Sequence, residues 1–194
     1  MIDNNGALGA ADEAPTTETM SHRMSGDPEA LALRPNFNGV FPPLKTAQIG
    51  ASGVLLIQYL LLKRGIDSSL MTTDDGIDLV AYSPRRRKAL TVQVKTCLKP
   101  KRAGGKGAPT LDWWLRSDSP AQLVGLVDLE SNQVWMFWHD EFVGRAQQKP
   151  EGRMHLYFYL DEDFKARPDC HRRDFEAFRL ESRIDEIFGP QAVG

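Results

Sequence analysis

Apolar and polar positions along this chain follow two rhythms, after a first stretch that has none. From Met1 to about Val40 the sequence is rich in Gly, Ala, Asp, Glu, Thr, Ser and Pro, with almost no aromatics. A segment so poor in apolar surface cannot bury a core, so residues 1–40 are expected to be a disordered arm. From Leu44 to Arg64 there is no internal proline, and Leu55, Leu56, Ile57, Tyr59, Leu60, Leu61 and Leu62 crowd together before Lys63-Arg64-Gly65. Cations followed by glycine end a helix, and an apolar run that wraps round the helix predicts burial on most of its surface. Short β-like segments follow at 66–71, 77–82 and 90–96, the last two joined by Ser83-Pro84-Arg85-Arg86-Arg87-Lys88. Segments 122–129 and 133–138 flank a Glu130-Ser131-Asn132 turn and predict a hairpin. A short helix is expected over 139–147, a strand over 154–160, and a last helix over 175–188 carrying Phe175, Phe178, Ile184, Ile187 and Phe188 before Gly189-Pro190. A helix, a mostly antiparallel run of strands and a closing helix predict one α/β (α+β) domain over residues 41–194.

Composition narrows the setting. With 194 residues, 41% hydrophobic and 26% charged, the chain can bury one full core. The two cysteines, Cys97 and Cys170, lie far apart and outside any C-x-x-C spacing, which argues against a disulfide framework or zinc knuckle. The longest apolar run, Val54 to Leu62, is interrupted by Gln58 and is shorter than the roughly 20 residues a bilayer requires. No signal-peptide pattern opens the chain. The expectation is a soluble cytoplasmic protein with no membrane partner.

The candidate chemistry lies in two neighbouring segments. Gln93 and Lys95 alternate with Val92 and Val94, so both side chains project from one strand face, about 6.5–7 Å apart. A hairpin centred between Arg85 and Arg86 sets Asp78 opposite Gln93, and a slip of one residue turns it to the other face. In that register a carboxylate, an amide and an ammonium converge. Asp78 is a charged oxygen ligand for a hard cation such as Mg²⁺ or Mn²⁺, with Gln93 and the Val94 carbonyl as neutral ones. The cation polarises a phosphate and acidifies a bound water, while Lys95 orients that water and offsets developing charge.

Gly76-Ile77-Asp78-Leu79-Val80 followed by Val92-Gln93-Val94-Lys95-Thr96 resembles the core of the PD-(D/E)XK nuclease superfamily. It is most similar to the branch of group I intron homing endonucleases and Holliday-junction-resolvase-like proteins, in which Q-x-K replaces E-x-K. The stretch from Gln48 to Gly65 resembles the first helix of those domains. The likeness covers roughly residues 44–96 and weakens through the hairpin ending near Trp138. It implies a restriction-endonuclease-like mixed β-sheet flanked by helices, with Asp78, Gln93 and Lys95 as catalytic residues and Asp78, Gln93 and Val94 as ligands of Mg²⁺ (or Mn²⁺). The implied reaction is hydrolysis of DNA phosphodiester bonds. One departure stands out: many relatives carry a metal-binding glutamate on the first helix, whereas no Asp or Glu lies between Leu44 and Arg64 here, and the matching position is near Val54. Asp74 and Asp75 are the acids that can compensate.

Charge adds a second signal. The net charge is −2, but no acidic residue lies between Asp78 and Asp112, while Arg85, Arg86, Arg87, Lys88, Lys95, Lys99, Lys101, Arg102 and Lys106 do. Such clusters bind backbone phosphates in a salt-dependent way, and Lys99 to Gly107 reads as a flexible basic loop. The expected partner is nucleic acid, DNA rather than RNA, bound by a homodimer or by a subunit of a larger complex.

Blander readings stand beside these. Asp78 can cap a turn, Lys95 can be a solvated strand residue, and Gln58 reads as a core amide with a satisfied partner. Of the adjacent Trp113 and Trp114 one belongs in the core and the other is free to stack on a base. Trp135 and Trp138 read as packing residues, His139-Asp140-Glu141 as an acidic helix start, and Cys170-His171 has no partners at zinc spacing. The alternatives to an enzyme are a nuclease-like module that binds without cutting, and a protein adaptor using an exposed aromatic hairpin near Trp135 to Trp138.

Overall fold

In the computed structural model the described residues are 42–73, 75–165 and 169–190. The expected arm over 1–40 and Asp74 lie outside them. Helix α1 (Thr46–Leu62) ends where glycine was expected to end it: Gly65 adopts φ 67°, Ile66 N–H bonds Leu61 C=O at 3.1 Å and Gly65 N–H bonds Leu62 C=O at 2.9 Å. This is a Schellman closure, and Ile66 folds back into the core. The helix buries only Gly53, Ile57 and Leu61, while Leu55, Tyr59 and Leu62 are exposed. The expectation of burial on most of its surface is therefore corrected. An apolar run fixes which residues can be covered, but this helix has a sheet on one side only.

That sheet contains β1 (Asp67–Leu70), β2 (Leu79–Ser83), β3 (Lys88–Cys97), β6 (Leu123–Asp128) and β7 (Gln133–Trp138), in the spatial order β1-β2-β3-β6-β7. All neighbours are antiparallel except β3 and β6, which are parallel. A parallel pair needs a crossover, and the chain makes it by building a second sheet: β4 (Lys101–Arg102), a 3₁₀ turn (Ala103–Gly105) and β5 (Pro109–Arg116), later joined by β8 (Arg153–Tyr159) in the order β4-β5-β8. The sheet is thus mixed, as the fold class expected. The basic stretch after β3 is largely a hairpin edge and turn rather than an open loop. Leu111, Trp113 and Leu115 alternate inward along β5, a period-two signal masked by the glycine-rich run before it.

Two cores result. Ile57, Leu61, Leu79, Val92 and Val94 pack between α1 and the first sheet. Trp113, Trp135, Phe137 and Phe158 fill the space between the sheets, and β6, covered on both faces, is buried at every residue. Trp135 is fully buried, Val134 to Phe137 are all inaccessible and Trp138 is half-buried, so that hairpin does not present the exposed aromatic face an adaptor would use. The expected closing helix over 175–188 is two elements, a 3₁₀ segment (Arg172–Phe178) and α3 (Leu180–Phe188), broken at Arg179 where ψ is 135°. The cause is packing: Phe175 enters the inter-sheet core, whereas Leu180, Ile184, Ile187 and Phe188 belong to the helix-side core. Helix α2 (His139–Arg145) begins with Glu141 accepting the Trp138 N–H at 2.8 Å, the acidic helix start expected there. Among the described residues no helix is long and apolar enough to cross a membrane.

Candidate active site at the fork between two strands

The β2–β3 ladder runs from Leu79↔Val92 to Ser83↔Lys88, the register centred between Arg85 and Arg86. Asp78 sits one residue before it and leaves the regular pattern. Its N–H bonds Val92 C=O at 2.9 Å, while its C=O accepts from Met71 N–H at 3.0 Å, so its two main-chain groups serve strands on opposite sides. A regular strand residue sends both groups to one neighbour; Asp78 divides them between two. Its Oδ2 accepts the Val94 N–H at 2.6 Å. At Val94 the β2 ladder has already ended, and the carboxylate takes the place of the missing strand carbonyl. The acid is thereby anchored at the middle residue of Gln93-Val94-Lys95.

Gln93 and Lys95 project from β3 beside Val124 and Leu126 of β6, toward the second sheet. Gln93 is buried, and its Oε1 accepts from the Ser119 hydroxyl at 2.6 Å. The three side chains open onto three cavities. Asp78 and Val94 line one of about 460 Å³ between the start of α1 and the loop after β1, with Gly50, Val54 and Met71. Gln93 lines a second of about 240 Å³ with Asp75, Gly76, Asp118 and Ser119. Lys95 lines a third of about 190 Å³ with Trp114, Arg116 and Arg153, and it has no hydrogen bond or ion pair among the described residues. The structure thus brings Asp78 to the Val94 main chain, and keeps the Gln93 and Lys95 side chains on the face covered by the second sheet.

Val54, the position at which the resemblance led us to look for a helix carboxylate, lines the same cavity as Asp78. Gln58, one turn on, does not: its Nε2 donates to Ser68 C=O at 3.3 Å, the satisfied amide expected. Asp75 opens onto the Gln93 cavity rather than the Asp78 one. Among the described residues no three His, Cys, Asp or Glu side chains gather in one place.

The basic residues divide. Arg85, Arg86, Arg87 and Lys88 occupy the exposed turn at the start of β3, where Arg86 donates to the Glu186 C=O of α3. Lys99, Lys101, Arg102 and Lys106 follow its other end and are exposed. Nine strand steps of roughly 3.3 Å separate Lys88 from Cys97, so the clusters stand about 30 Å apart rather than side by side. The residues that sequence reasoning missed are Ser119, which holds Gln93 from 26 positions away in a turn and left no signal, and the partners of Trp114. Of the two tryptophans Trp113 is buried and Trp114 is 41% exposed. Trp114 stacks on His155 at 4.0 Å and 7°.

No family model matches this sequence, and no curated protein does. Among solved structures, the chain is similar to the bacterial homing endonuclease I-Ssp6803I, with a TM-score of 0.52 and 18% identity over 74% of this chain and 91% of that one. The fold is accordingly a nuclease-like mixed α/β fold.

Proposed function

We propose that this chain is a metal-dependent nuclease of the PD-(D/E)XK kind that hydrolyses DNA phosphodiester bonds at the fork between β2 and β3. The observation that carries the reading is the Asp78 carboxylate held by the main chain of the Gln93-Val94-Lys95 tripeptide. The donors suit Mg²⁺ or Mn²⁺: Asp78 offers a hard carboxylate oxygen beside the 460 Å³ cavity, and Val94, whose N–H faces the fork, directs its carbonyl to the same side. One or two carboxylates with substrate phosphates completing the shell is the usual arrangement for Mg²⁺. A cation so bound supplies the charge that polarises the scissile phosphate and acidifies a water. The chain's own contributions are clear by residue. The Val94 N–H fixes the Asp78 carboxylate; Lys95, without a hydrogen-bond or ion-pair partner among the described residues, offers its cation to the phosphate chain from the separate cavity it lines with Trp114 and Arg153 on the other face of β3; and the clusters at either end of β3 neutralise backbone charge along a duplex. Gln93, tied to Ser119, holds the β5–β6 connection against the site strand, and its amide oxygen keeps a second lone pair for a cation.

Incubation of plasmid and single-stranded DNA with the protein in Mg²⁺ or Mn²⁺ tests this. Wild type cuts; Asp78→Ala and Lys95→Ala lose about 10²–10³-fold. Absence of cutting by wild type, or cutting by both variants at the wild-type rate, removes the enzyme reading. One specific observation favours a second reading, a nuclease-like module that binds without turnover: Val54 rather than a carboxylate faces Asp78. It predicts affinity for DNA that falls with salt and no metal-dependent product.

A further inference from the structure

The outer face of the second sheet presents aromatic rings in sequence along β8. Trp114 lies flat on His155, whose ring is 5.2 Å from that of Tyr157, and Tyr157 is 5.8 Å from Tyr159. These residues alternate with Leu156 and Phe158, which point the other way into the core. The row is braced from its sides: His155 sits between Asp112 at 3.3 Å and Gln148 at 3.4 Å, and Gln147 bonds the Tyr157 main chain from both ends of its amide, each at 2.9 Å. Ring positions are therefore set before any ligand arrives. Cations stand at both ends. Lys101, exposed on β4, pairs with Thr110, which pairs with Tyr159; at the other end Lys95 and Arg153 share a cavity with Trp114. Asp112 is the acid within the row, and it is engaged with His155. Beside Tyr157 and Tyr159, Lys101 and Arg102 border a cavity of about 240 Å³. That is smaller than the roughly 300 Å³ at the low end of small-molecule pockets and suits a single ring system.

Aromatic side chains in a row with flanking cations are what an unpaired strand requires: rings for the faces of successive bases, positive charge for the phosphates between them. A duplex does not satisfy them, because its base faces are already stacked on one another. We propose that the outer face of the β4-β5-β8 sheet binds single-stranded nucleic acid, with Trp114 as the principal stacking platform, backed by His155, and Tyr157 continuing the row; Tyr159, packed against Phe164 at 4.5 Å, closes it. A strand lying along it is led to Lys95. This rests on the nucleic-acid reading above but not on catalysis.

The test is anisotropy of labelled oligothymidine and of an equal-length duplex, in EDTA so that no cutting occurs, with wild type, Trp114→Ala and Trp114→Phe. Wild type binds the single strand more tightly than the duplex. Trp114→Ala weakens single-strand binding by roughly 5- to 150-fold, the effect of losing one stacked base, and leaves duplex affinity unchanged; Trp114→Phe keeps most of the single-strand affinity. Because the Trp114 ring is at the surface, its removal opens no core cavity. Equal single-strand affinity for wild type and Trp114→Ala, or duplex binding without single-strand binding, overturns this inference alone. No affinity for either nucleic acid overturns it together with the nucleic-acid reading.

Discussion

At the scale of single residues, Asp78 has two roles that can be separated. Its carboxylate closes the ladder at Val94 and is the site's one anchored acid. Asp78→Asn keeps an oxygen acceptor for the Val94 N–H but removes the charge, whereas Asp78→Ala leaves that N–H without its partner. Chemical denaturation should place Asp78→Asn near wild type and Asp78→Ala about 1–3 kcal/mol below it. His155 provides a pH handle. Burial pushes its pKa below the usual imidazole value, against the opposing pull of Asp112. The folded state therefore binds the proton less readily than the unfolded chain. The stability this gives is full above the unfolded pKa of about 6.5 and is lost as pH falls through the lowered folded value. His155→Phe, which keeps a flat ring against Trp114, should show a shallower loss of stability between about pH 7.5 and pH 5 than wild type in denaturant titrations.

At the scale of elements, the approach of α1 to the sheet rests on small residues. A Cβ on Gly53 would lie 2.0 Å from Thr96 Oγ1, and one on Gly125 would lie 2.5 Å from Ile57 Cδ1. Gly53→Ala must displace either the Thr96 side chain or the helix and should cost about 1–3 kcal/mol by overpacking, with Thr96→Ala in the same chain recovering most of it. The midpoint of denaturant unfolding reads both. At the other end, Arg183 of α3 is buried and grips Glu141 of α2 through bonds of 2.5 and 3.0 Å, Glu186 through bonds of 3.1 and 2.6 Å, and the Met136 C=O at 3.3 Å. Burial works against its charge, but the two carboxylates outweigh it and hold the guanidinium charged. Arg183→Met removes the shared partner of both, and its cost should be about 3 kcal/mol, the lower end for a broken buried pair because Glu186 faces solvent.

At the scale of the whole molecule, the first helix, the site hairpin and its register were legible because each is local. A glycine cap, a short basic turn and alternating side chains fix them within about 50 residues. What was not legible depends on distant partners. The parallel β3–β6 pair, the second sheet that makes the crossover, and the break at Arg179 are decided by which core each apolar residue joins, and a periodic pattern is silent on that. The candidate site divides the same way. Hairpin register brings Asp78 beside the Q-x-K strand, but its carboxylate goes to the Val94 main chain and not to the Gln93 and Lys95 side chains as expected, and Ser119 on Gln93 and His155 against Trp114 arrive from elsewhere in the chain. Separation of the basic clusters to opposite ends of β3 also belongs here, since sequence proximity had grouped residues that a ten-residue strand holds apart.

The measurement that bears most directly on the fork as a catalytic centre is Mn²⁺ uptake followed by electron paramagnetic resonance in the presence of duplex DNA, comparing wild type with Asp78→Asn. The account predicts a bound Mn²⁺ signal in wild type that is lost in the folded Asp78→Asn protein. Equal uptake by the two proteins, or none by either, would contradict it.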